Sequence, residues 1–340
     1  MATNYSHVLR DTQKWLERWG VVVAFVALFA ASTYKQGFDF LNPENIRALL
    51  NSNAPVGILA VGMTLVIISA GIDLSVGSML VLAGAIGMTA MNALIEQGSG
   101  QWTAVLLGGA TTLLVGVAAG SVNGLLVVFG RIAPFIATLG GLAAFRSMSL
   151  AIADAGEIRS QSTELFGVLG RGGIPLPGLL NAGGKALTIS YSTVLFFVAA
   201  AIAQWFLSRS RFGRQLVAVG ANEIAARYAG ISVSSIRFRV YAAMGLLAGI
   251  AALVQSSRMN SVSTSQLGLG SELDAIAAVV IGGTRLSGGF GRVWGTVFGV
   301  LILGMITNIL TISGVSPYWQ GSVKGAVIVL AVLVQRSSRN

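Results

Sequence analysis

Few residues in this chain could do chemistry inside an apolar interior. Asp73 separates two long uncharged stretches, 48–72 and 74–95, and is followed by Leu74 and Ser75. A carboxylate in such a place is costly unless it is paired or wetted. Two roles fit it. Asp73 could cap a helix in a tight turn, or it could line a path or gate for a polar solute together with Ser75. Asn123 and Asn308 lie within apolar stretches, where amides commonly hydrogen-bond between helices and can also touch a solute hydroxyl. Arg146 lies near the outer end of another stretch. It can extend its head outward or pair with an acid inside.

Other chemistry is excluded by residue type. The chain has no Cys and a single His, His7, near its N-terminus. Disulfides, thiolate metal sites and a Ser/His/Asp set therefore cannot form. A phosphate-binding loop needs Gly-x4-Gly-Lys-Ser/Thr after a strand. The nearest lookalike, 179–186, ends in Gly-Gly-Lys185-Ala186 but lacks the first Gly and the hydroxyl residue. No catalytic, cofactor or metal residue is expected, and any ATP hydrolysis must come from another polypeptide.

The elements that carry these residues are set by composition. Of 340 residues only 10% are charged and 54% are hydrophobic, and the mean hydropathy is +0.78. That is far below the roughly 25% charge of a soluble domain, and it is what a lipid-facing surface requires. The 44 Gly residues suit helices that pack closely in lipid. The net charge of +10 is better explained by basic loops that set orientation than by nucleic acid, since no aromatic–basic stripe accompanies it.

The pattern predicts an all-α integral membrane protein, a single domain over 1–340 with about ten spans. These fall near 17–34, 53–71, 75–95, 103–128, 133–153, 188–207, 238–257, 272–284, 293–312 and 318–335. Residues 1–19 read as an interfacial lead-in to a retained first helix rather than a cleaved leader. Counting basic residues with both termini inside gives fourteen inside and six outside, so both termini are expected in the cytoplasm. The 154–187 segment reads as an external loop or a docking site for an external partner. Gly71–Gly77 echoes Gly283–Gly289 at four of seven positions, a candidate trace of a repeat.

The inside segment 208–237 encodes a short helix. Asn222 suits the N-cap and Glu223 the positive first turn. Arg227 lies four residues on from Glu223 and can pair with it. Gly230 can take the left-handed stop. Ile224 and Tyr228, with Ala225 nearby, share an apolar face. Such a helix either lies on the bilayer surface or docks on a cytoplasmic partner.

Three stretches resemble the ribose-type permeases of bacterial ABC importers, the carbohydrate branch of the group that also handles branched-chain amino acids. They are GMTLVIISAGIDLSVGSML (62–80), GRQLVAVGANEIAARYAGI (213–231) and AIAAVVIGGTRLSGGFGRVWGTVFGVLILGMITNIL (275–310). In the second, Gly213, Arg214, Ala218, Gly220, Asn222, Ala225, Ala226, Gly230 and Ile231 stand at the family loop's spacing. The resemblance implies that this loop couples to an ATPase. It also implies a homodimer of permeases, a separate ABC ATPase, an extracytoplasmic sugar-binding protein and a home in the bacterial inner membrane. Arg285 departs from the small residue usual there. A self-contained secondary transporter of a small polar solute is the alternative. It would want mid-span acids, and apart from Asp73 the apolar stretches offer none.

Overall fold

The computed structural model describes the backbone of residues 2–162, 164–180 and 186–337, and the side chains of 19–162, 164–178, 186–327 and 329–330. The 179–186 lookalike lies largely outside the described residues, as does the side chain of His7. Helices dominate: α1 (Ala2–Gln36), α2 (Phe38–Leu41), α3 (Pro43–Ile68), α4 (Val76–Glu96), α5 (Gln101–Val128) and α6 (Pro134–Ile152) come first. A small region follows with β1 (Glu157–Arg159), α7 (Gly167–Arg171), β2 (Gly173–Leu180) and β3 (Ala186–Ser190). The chain continues through α8 (Tyr191–Arg209), α9 (Arg211–Ala221), α10 (Glu223–Tyr228), α11 (Val233–Met259) and β4 (Ser261–Ser263). It ends in α12 (Ser271–Ile281), α13 (Val293–Ile312) and α14 (Pro317–Ser337).

Among the described residues eight helices are long and apolar enough to cross a membrane. The all-α membrane fold thus stands, with about two fewer such helices than the ten spans expected. The expected span at 318–335 matches the 21-residue α14. The one at 272–284 is α12, whose 11 residues reach about 16 Å, half of a bilayer core of about 30 Å. It stops at Gly283, whose φ of +84° lets the Gly283 and Thr284 amides turn back onto the Val280 and Val279 carbonyls (2.9 and 3.2 Å), a glycine stop.

The core is a crossing of α5 and α11. Gly116 and Gly120 face Gly245 and Gly249 so closely that a methyl group on Gly116 or Gly245 would strike the other's carbonyl oxygen. Small residues spaced by four on both helices bring the backbones into contact, the usual adhesive in lipid. Around this pair α3 and α4 are heavily buried. On the outside, α1 meets α13 through Phe25 and Phe298, edge to face with ring centres 5.4 Å apart. Leu106 and Leu114 of α5 are about two-thirds exposed, as lipid-facing side chains should be.

The chain between α11 and α12 turns back into the bundle. β4 pairs antiparallel with β1, Val262 packs beside Gly84 of α4, and Gly268 lies directly against Gly77 at the start of α4. Arg146 holds this segment: its Nη1 donates to the carbonyls of Thr264 (3.2 Å) and Leu267 (2.8 Å). Arg146 is thus turned onto backbone, and its charge also attracts Glu272 of α12. It satisfies carbonyls that irregular backbone inside a membrane would otherwise leave bare. Asp274 of α12 pairs with Lys324 of α14 at 3.0 Å, so α12 brings acids to the bundle beside Asp73, and this one is already paired.

The 154–187 segment is more than a loop. Its described part contains β1, α7 and the antiparallel β2–β3 pairing. Both halves of the echo at 71–77 and 283–289 follow a helix stop: the Gly71 amide bonds to the Val66 carbonyl at the end of α3 (3.1 Å) and the Thr284 amide to the Val279 carbonyl at the end of α12 (3.2 Å).

Candidate functional site

The turns at 69–75, 129–133, 210–232 and 282–292 gather at one end of the bundle, which also carries Arg131, Arg209, Arg211, Arg214, Arg227, Arg237, Arg239, Arg285 and Arg292. At this basic end the 210–232 segment forms two helices rather than one. Ser210 caps α9 by accepting from the Gly213 amide (3.0 Å). Gly213, Leu216, Val219 and Gly220 form its buried edge, while Arg214 points outward and Ala218 is half-buried. The apolar spacing 213, 216, 220 carries the signal that a search for one short helix passes over.

Asn222 breaks the chain into α10. Its Oδ1 accepts from the Ala225 amide at 3.0 Å, a standard N-cap. At the other end the Gly230 amide bonds to the Arg227 carbonyl and the Ile231 amide to the Ala226 carbonyl, both at 3.0 Å. Gly230 has φ +76°, so the stop is a Schellman turn. Glu223 accepts from Arg227 Nη2 at 2.6 Å and from Arg237 Nη2 at 2.7 Å. Partial burial pushes the Glu223 carboxyl up, but the two arginines outweigh it and hold the group below its ordinary value. The Arg237 bond ties α10 to α11; sequence spacing alone pointed only to Arg227.

The result is a rigid two-turn helix with one face uncovered. Ala226 is buried, while Ile224 is 67% and Tyr228 89% exposed and Ala225 is also exposed. Beneath it Gly220 lies against the Ile68 carbonyl so tightly that no side chain fits. That carbonyl also accepts from the Gly289 amide at 3.0 Å, and Gly289 packs on the Ala221 backbone. The α9–α10 corner is thus clamped to the end of α3 and to the 282–292 turn.

Directly past α3 lies the polar cluster. Asp73 is fully buried, and its Oδ1 accepts from the Ser75 amide (2.9 Å) and hydroxyl (2.7 Å). Asn123 Nδ2 donates to Ser75 Oγ at 2.7 Å. Thr138 of α6 accepts from the Leu74 amide at 3.1 Å. Asp73, Ser75 and Asn123 thus come together as a staple joining the 69–75 turn to α5 and α6. Asn308 does not join them. It forms a reciprocal amide pair with Asn45 (2.7 and 3.2 Å) near the opposite end.

A family model described as the permease component of a branched-chain amino acid transport system matches residues 45–332. The chain belongs to this permease family. Its relatives include the ribose import permease protein RbsC of Escherichia coli K12, 38% identical over 336 residues that cover 96% of both chains. RbsC of Bacillus subtilis 168 is 41% identical over 302 residues, 88% of this chain and 86% of the relative. The D-allose transport system permease protein AlsC of Escherichia coli K12 is 34% identical over 93% of this chain and 90% of its own. In this permease the Arg285 guanidinium lies 4.8 Å from the centre of the Phe290 ring.

Proposed function

We propose that this permease is the membrane-spanning subunit of an ABC importer that moves a monosaccharide, ribose or a similar sugar. An extracytoplasmic binding protein delivers the sugar, two copies of the chain form the conduit, and a separate ATPase docks on α10. The basic end then faces the cytoplasm of a bacterial cell and both termini lie there, as the excess of arginine favours. The observation that carries this reading is the exposed apolar face of α10 on a corner that is clamped to α3 and the 282–292 turn. A helix built this way can transmit force, because its contacts beneath are backbone to backbone. The relatives' names supply the sugar class, since RbsC is a ribose permease and AlsC a D-allose permease.

Uptake of radiolabelled ribose into proteoliposomes holding the chain with its ATPase and binding protein tests this. Uptake should need internal ATP and persist when the proton gradient is collapsed. Uptake driven by a gradient without ATP would refute it.

A further inference from the structure

Beside α10, at the basic end, lies a cleft of about 630 Å³. It opens between the α5–α6 turn and the start of α11. Three arginines from three elements line it: Arg131 from the turn, Arg227 from α10 and Arg237 from α11, with Glu223 as the lone acid. Glu223 already engages Arg227 and Arg237, and Arg131 makes no ion pair among the described residues. The cleft therefore carries a surplus of positive charge.

Apart from Ser234, its other lining residues are apolar and belong to the ends of membrane spans and the turn between α5 and α6. Val127 and Phe129 close α5, Pro134 opens α6 and Val233 opens α11. Phe129 is 74% exposed, and the neighbouring Phe135 and Ile136 are also turned outward. Cationic groups above an apolar, outward-facing wall at the level where spans end match an anionic headgroup with an acyl chain below it. Arg131 adopts φ +52°, an uncommon conformation for a residue with a Cβ. Strained backbone of this kind tends to persist where it positions a functional side chain.

We propose that this cleft binds the phosphate headgroup of an acidic phospholipid, with Arg131 as its principal ligand and Arg227 and Arg237 sharing the charge. The apolar face proposed for ATPase docking is separate, because Ile224, Ala225 and Tyr228 do not line the cleft. The site follows from the membrane-embedded fold and does not depend on the docking role of α10. Bound lipid would brace the Glu223–Arg237 tie from the membrane side.

Native mass spectrometry of the full chain in detergent, alone and with its ATPase, tests this with phosphatidylglycerol and with phosphatidylcholine of the same acyl chains. One phosphatidylglycerol should be retained in both forms, in preference to phosphatidylcholine. Arg131→Gly removes the charge while relieving the positive φ, so thermal stability should hold. Affinity should fall about tenfold, the size of one charge-assisted hydrogen bond. Arg131→Lys should stay close to wild type. Equal binding of the two lipids, or Arg131→Gly retaining wild-type affinity, would overturn the proposal. Displacement of the lipid by an equal concentration of inorganic phosphate would assign the site to a free anion, and expulsion by the ATPase would assign it to the protein interface. Either outcome defeats a lipid site.

Discussion

Asp73 and Glu223 are the two carboxylates around which the basic end is organised, and their surroundings differ. Glu223 sits at the rim and is satisfied by two arginines. Asp73 has no cation within salt-bridge reach among the described residues and is held by the Ser75 amide and hydroxyl. What Asp73 offers its neighbours is an acceptor more than a charge. Asp73→Asn keeps an acceptor at Oδ1 and should leave thermal stability nearly unchanged. Asp73→Ala orphans the buried Ser75 amide and should cost about 1–3 kcal/mol, read as a lowered melting temperature in detergent. If Asp73→Asn melts like Asp73→Ala, the charge matters and the staple account is wrong. The turn role of Asp73 was legible because Ser75 follows two residues later. The link to Asn123 spans 48 residues and no local spacing announces it.

At the scale of elements, two features decide the bundle. One is the crossing of α5 and α11, where Gly245 meets Gly116 and Gly120. Gly245→Val should force the helices apart, and overpacking of this sort costs about 1–3 kcal/mol or more. Lower membrane abundance and a lower melting temperature are expected, while Gly140→Val, at a glycine with open space around it, should match wild type on both. Equal behaviour of the two variants would show that the crossing is not so tight. The second feature is the half-length α12, reached by backbone that Arg146 supports from within. The apolar run from 275 to 284 is visible in the sequence, and so are the glycines after it. That the preceding Ser- and Gly-containing segment folds inward is not, because its hydrogen-bond partner comes from a helix more than a hundred residues earlier. Lys324 and Asp274 pair across 50 residues, a contact that no local spacing announces.

For the whole molecule, low charge and long apolar runs were enough to read the membrane fold, since lipid tolerates little else. The short helix at 223–228 was legible from Asn222, Glu223 and Gly230, each of which acts within its own turn. Its anchorage was not, because Gly220, Ile68 and Gly289 meet only after folding. The central claim is that this anchored helix receives an ATPase through Ile224, Ala225 and Tyr228. Ala225→Glu places a charge on that face, where an unpaired buried charge is expensive, yet it disturbs no span because Ala225 is exposed. The decisive measurement is co-purification of the ATPase with wild-type and Ala225→Glu permease, paired with sugar uptake at equal membrane abundance. The variant should lose the ATPase or lose uptake. An Ala225→Glu permease that holds the ATPase and transports like wild type would contradict the account and leave α10 as a connector lying on the membrane surface.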